Sequence, residues 1–331
     1  MSYTNGLDNP ELYFQCKLYT GNGSTQTITY DNTDADLDAD MIWLKSRSDA
    51  YSHQLFDTVR GATKLLNPEA AEAEQTLSGI TAFGTDSFNI GSDAGTNGSS
   101  KTYVAWCWKE TATAGFDIVT YTGNGSARTI SHSLSAVPHW ILQKERNEAS
   151  NWKVYHHKNT SAPETDYLTF NSTAATDDYA DYWNDTAPTS SVYSIGSAAD
   201  INGSSDTYVT YLWSEKQGFS KFGSFVANSN TDGPFVYLGF RPALVIGKCA
   251  SDTNDWFMFD NKRSTFNPVD DSLYPNTNAA ENTNHIIDFL SNGFKIRDSD
   301  GTVNSTGNTY VYMAFAEAPF VNSKGVPCNA R

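Results

Sequence analysis

Five aspartates crowd residues 31–40, and four of them, Asp34, Asp36, Asp38 and Asp40, alternate along the chain. Calcium takes several hard oxygen ligands, so carboxylates at this spacing are the candidate Ca²⁺ set. An EF-hand does not fit, because its central glycine and closing glutamate are missing. On an extended strand the four side chains share one face. They then form a solvated acidic edge that discourages strand-to-strand pairing. That plainer reading is the expectation, with no metal and no other cofactor. His156 and His157 stand beside Tyr155 and are expected to be structural or interfacial. Copies of the same motif elsewhere carry Asp57 and Asp260 at the position of His156, which speaks against a shared metal role. A third cluster, Tyr179, Tyr182 and Trp183 in DDYADYWNDT, sets flat rings among Asp and Asn. Such a surface suits a glycan or a protein partner, and ordinary loop packing is the competing reading. No activated nucleophile with its base, P-loop, dinucleotide fingerprint or zincin helix occurs, so the chain reads as a non-enzyme.

The elements that must position these residues follow from composition. The chain has 331 residues, a net charge of −16 and 13% aromatic residues. Asp outnumbers Glu by 27 to 11, which favours turns and strand ends over long charged helices. So acidic a chain is a poor ligand for nucleic acid. No apolar run is long enough to span a membrane as a helix, and no basic segment followed by an apolar stretch opens the sequence. Cys16, Cys107, Cys249 and Cys328 are too scattered for a disulfide framework or a zinc site and read as buried or incidental thiols.

Internal repetition organises the rest. YTGNGSTQ (19–26) returns as YTGNGSAR (121–128), and NGSSKTYVAWCWKE (97–110) returns as NGSSDTYVTYLWSE (202–215) and NSTGNTYVYMAFAE (304–317). Tyr103, Tyr208 and Tyr310 each precede a glutamate by seven residues, and Lys45, Lys144 and Lys248 each precede an aromatic residue by 11. Within TYVAWCWKE, Val104, Trp106 and Trp108 fall on one face and Tyr103, Ala105 and Cys107 on the other. The expected fold is all-β: three tandem antiparallel β-sandwich-like units of about 100 residues with little helix. The units span 12–112, 113–217 and 218–320, and 1–11 and 321–331 are arms expected to be loose. Trp106, Trp108, Trp213 and Phe315 are assigned to the core. The best helical candidate is Asn67–Gln75, with Pro68 and Glu69 suited to a first turn.

The combination of YTGNGSTQTI, MIWLKSRS, HQLFDTVRGATK and FGTDSFNIGSDAGTNGSSKTYVAWCWKE resembles a module of virion proteins from tailed, often marine, bacteriophages. GFSKFGSFVANSNTDGPFVYLGFRPALVIGK, NGFKIRD and NTYVYMAFAEAPF are similar to the second half of those proteins, an uncharacterised phage domain family. The resemblance covers about residues 12–331. It implies a virion structural protein, foremost a tail fibre or tail-associated component that makes assembly contacts and contributes to host attachment. A capsid decoration is the alternative, followed by a carbohydrate-binding adhesin and a surface-polysaccharide hydrolase. The implied partners are other virion proteins, further copies of the chain and a host-surface glycan, without nucleic acid or membrane insertion. Assembly in the bacterial cytoplasm and residence in the virion follow from the same resemblance, which carries over no catalytic residue. Copy one departs from the family pattern: YDNTDADLDADMIWLK replaces the usual Gly-Phe-x-Pro-Asp lead.

Overall fold

A computed structural model of the chain describes residues 4–31 and 37–328. In unit one the strands are β1 (Phe14–Thr20), β2 (Gln26–Thr29), β3 (Met41–Ser46), β4 (Gln54–Asp57), β5 (Lys64–Leu65), β6 (Gln75–Thr76), β7 (Ile80–Gly84), β8 (Ser87–Ile90) and β9 (Thr102–Trp108). Unit two has β10 (Phe116–Thr122), β11 (Arg128–Ser131), β12 (Trp140–Glu145), β13 (Lys153–His156), β14 (Asp166–Thr169), β15 (Asp177–Asp178), β16 (Val192–Ile195) and β17 (Thr207–Trp213). Unit three has β18 (Ser220–Val226), β19 (Phe235–Tyr237), β20 (Phe240–Cys249), β21 (Trp256–Asp260), β22 (Ile287–Leu290), β23 (Gly293–Ile296) and β24 (Thr309–Pro319). Helix is confined among the described residues to short turns.

Each unit repeats one antiparallel main sheet. The orders β1-β9-β3-β4, β10-β17-β12-β13 and β18-β24-β20-β21 place the unit's last strand between its first and the strand carrying the buried lysine. Strands β14 and β15 extend the second sheet. A smaller outer sheet lies over each main sheet: β2-β8-β7, β11-β16 and β19-β23-β22. The fold class read from the sequence is the observed one.

The two faces of each main sheet have different fates. Ala105 and Cys107 pack with Ile28, Phe88 and Ile90 inside the sandwich of unit one. Val104, Trp106 and Trp108 instead enter a cluster drawn from all three units, with Trp140, Trp152, Trp213, Trp256 and Phe315. Ring centroids of Trp108 and Trp213 lie 6.4 Å apart, of Trp108 and Phe315 5.6 Å, and of Trp140 and Trp256 5.8 Å. The units therefore close around a common aromatic core with pseudo-threefold symmetry rather than standing as independent sandwiches in a row. Central strands buried on both faces are mostly apolar for this reason, with Lys45, Lys144 and Lys248 as buried exceptions.

The repeated signatures have local causes. Asn97, Asn202 and Asn304 are fully buried, and each side-chain oxygen accepts the backbone N–H of the GNGS-type turn, at Asn22, Asn124 and Asn228. Their amide groups donate to the carbonyls of Gly91, Gly196 and Asp298. The hydroxyls of Tyr103, Tyr208 and Tyr310 donate to Ala94, Ala199 and Gly301 and accept from Gly98, Gly203 and Ser305. A Cβ at Gly123 would sit 2.0 Å from the Gly203 carbonyl oxygen, so the turn admits only glycine there.

Two expectations are corrected. Asn67–Gln75 is not helical. Its backbone runs along unit two, with Glu74 N–H donating to the Arg146 carbonyl and Ser150 N–H to that of Ala71. Tertiary pairing overrides the local propensity. The described part of the N-terminal arm is also not loose: Thr4 and Leu7 are buried, and Asp8 accepts the Ser323 N–H at 2.8 Å from the C-terminal arm.

Candidate functional site

The seams between units carry most of the buried polar chemistry, and equivalent positions recur at all three. Backbone N–H groups of Glu74, Thr176 and Glu281 donate to Arg146, Ala250 and Arg47 of the neighbouring unit. Indole N–H groups of Trp152 and Trp256 donate to the Asn67 and Thr169 carbonyls, and His53 meets the Tyr274 carbonyl at 3.2 Å. Deeper in, Asp57 accepts from the Tyr211 hydroxyl at 2.6 Å and Asp260 from the Trp106 indole at 3.1 Å. Arg60 and Arg263, both buried, lie against these carboxylates and reach on to Glu74 and Glu281. Glu74 and Glu281 are held in turn by Arg146 and Arg47 of the next unit.

The seam between units two and three is the neutral version. His156 replaces the aspartate, Asn159 the arginine, Met313 the cross-seam donor, Thr176 the glutamate and Ala250 the outer arginine. A buried carboxylate needs donors and a counter-charge. Met313 supplies neither. His156 instead accepts the Lys158 N–H on Nδ1, which leaves Nε2 to donate to the Tyr312 carbonyl at 3.1 Å. Burial pushes its pKa down to about 3, so the ring is neutral.

The outer end of each seam differs more. Between units one and two, Asp40 accepts the Glu110 N–H and Glu110 meets the Ile118 N–H. Burial, reinforced by neighbouring Asp117, pushes Glu110 up to about 7. Between units two and three the same positions are His139 and Glu215, with Glu215 N–H donating to His139 Nδ1 at 3.0 Å. Burial lowers His139 to about 4, lowers His157 and raises Glu215. These residues line an open groove of about 550 Å³ between β18 and β19. A second hollow of about 390 Å³ adjoins it and shares Glu215, Lys221 and Tyr237.

Of the acidic candidates, Asp34 and Asp36 lie outside the described residues. Asp38 pairs with Lys109 at 3.4 Å, and burial raises the Asp40 pKa. Both effects work against these two gathering a cation, and no metal-binding group of three or more His, Cys, Asp or Glu occurs among the described residues. The aromatic cluster is not a free loop surface. Tyr182 and Trp183 belong to the core of unit two, with Tyr182 donating to Asp200 and Lys153 lying 4.5 Å from its ring centre. Tyr179 alone of the three is exposed. Cys16, Cys107 and Cys249 are buried free thiols, and Cys328 is exposed.

A family model matches residues 9–319, the full set of three units. The chain belongs to the family described as a domain of unknown function, DUF7483. No curated protein and no solved structure matches it. Because the match runs across all three units and their three seams, the family domain comprises the full set of units rather than one sandwich. Residues Lys158, Lys221, Phe235 and Tyr237 of the groove had no motif to announce them. They come together only when unit three packs on unit two.

Proposed function

We propose that this protein is a structural component of a tailed-phage virion, a tail fibre or tail-associated part, with a passive role in assembly and host contact. The observation that carries the geometric side of this reading is the use made of the buried charges. Asp57 and Asp260 accept from Tyr211 and Trp106 of the next unit, Glu74 and Glu281 pair with Arg146 and Arg47 across the seams, and Arg60 and Arg263 brace these carboxylates from within their own units. Such a molecule is a rigid block whose exposed turns are available for contacts. The sequence resemblance supplies the particle, other virion proteins and further copies of the chain as partners. Immunogold labelling of purified particles tests it. Label at the tail supports the reading, label spread over the head favours capsid decoration instead, and absence from purified virions overturns the class.

A further inference from the structure

Three copies of one unit act as controls for one another. In the outer sheets, Ile28, Ile130 and Val236 point into the sandwich, and the residues flanking each of them face solvent. Those flanking residues are Thr27 and Thr29 in unit one and Thr129 and Ser131 in unit two. In unit three they are Phe235 and Tyr237, exposed to 45% and 55%. Thr20 and Thr122 likewise become Val226, exposed to 62%. The fold is satisfied by small hydroxyl residues at these positions in two copies, so it does not require exposed rings in the third. Exposed, clustered apolar side chains mark interaction sites.

The surroundings of the rings say what would meet them. Unit three contributes Phe235, Tyr237 and Lys221, and unit two contributes His139, Lys158 and Glu215. The connection from outer sheet to main sheet is shorter in this unit, with 9 residues from Val236 to Val245 against 14 from Ile28 to Ile42 and 11 from Ile130 to Ile141, and the mouth is open. Lys221 lies 5.3 Å from the centre of the Tyr237 ring and donates to its carbonyl, which fixes that strand and leaves the other ring face free. Lys158 and Lys221 form no ion pair among the described residues, and the one carboxylate that shares the groove with them is Glu215, which feels both charges. A dry apolar contact would bury two ammonium groups here with only the Glu215 carboxylate to offset them. A sugar chain bearing carboxylates would instead stack its C–H faces on the rings and offer oxygens to the lysines.

We propose that the groove between units two and three binds an anionic oligosaccharide, stacked on Phe235 and Tyr237 and held by Lys158 and Lys221. The proposal deepens the host-contact part of the reading above and rests on it for the source of the glycan. The test uses the full chain on a panel of galacturonate, mannuronate, guluronate and sialylated oligomers, beside neutral cellohexaose and maltohexaose. Saturable binding of an acidic oligomer is expected. Phe235→Thr with Tyr237→Ser, which restores the residues tolerated in the other units, is expected to weaken it at least about tenfold with an unchanged melting temperature. Lys158→Gln is expected to weaken it and flatten its salt dependence. Tyr179→Ala is expected to leave it unaltered. Binding of no acidic oligomer overturns the proposal, as does binding that ignores the double variant. If the double variant instead abolishes capture of another virion protein while no sugar binds, the patch is a protein contact and the assignment is wrong. Binding by a protein absent from virions leaves this proposal standing and removes the particle reading alone.

Discussion

His156 shows how one substitution propagates through a buried site. Its aspartate counterparts are each matched by an arginine three residues on and by a donor from the next unit. All of these partners change together where histidine enters. The ring's pKa of about 3 lies below its ordinary value of 6.5. A depressed pKa contributes stability that is present above pH 6.5 and lost as pH falls through about 3. His53, also depressed by burial, acts in the same direction. Glu69 and Glu110, raised to about 7, act oppositely by favouring the folded state as pH falls from neutrality. The difference between wild type and a variant isolates the histidine. We expect His156→Gln to lose less stability than wild type between pH 7 and pH 4, read from urea midpoints. Equal losses would show that the ring is not buried neutral.

At the scale of elements, the segment 67–75 separates what was legible from what was not. NPEAAEAEQ has helical composition, but its partners are the backbone of Arg146 and Ser150, which no local window contains. A helix would put Glu72 and Glu74, two residues apart, on opposite faces and would give neither of them a partner in another unit. In the seam, Glu74 binds Arg60 and Arg146, and Glu72 is exposed. Glu74→Ala should therefore cost about 3 kcal/mol, because Arg60 is left buried without its second carboxylate. Glu72→Ala should stay within about 0.5 kcal/mol. Equal effects in denaturation would contradict the seam. The strands themselves were readable, since the alternation in TYVAWCWKE placed Trp106 and Trp108 opposite Cys107, as observed. The groove was not. Its strand sits between connections of unequal length, with 14, 11 and 9 residues from Ile28 to Ile42, Ile130 to Ile141 and Val236 to Val245. The register linking Phe235 to Thr27 is broken on the page and restored only by the sheet.

The whole molecule behaves as one cooperative body on the same physical grounds. Each main sheet hides one face only against the other two, so no unit can open without exposing Trp108, Trp140, Trp213 or Trp256 to water. Scanning calorimetry of the full chain should give a single transition with a calorimetric to van't Hoff enthalpy ratio near unity. Three separable transitions would mean that the common core is not formed. The repetition announced three units of sheet but not their closure, because an apolar strand reports that it is buried and not against which neighbour. A trimer of identical chains would carry identical seams and hence three identical mouths. With the copies joined in one polypeptide, a single seam carries neutral groups in place of the buried ion pairs and a shorter connection beside its mouth. The molecule is thus monovalent at that mouth, and any avidity must come from the number of chains arrayed side by side on a surface.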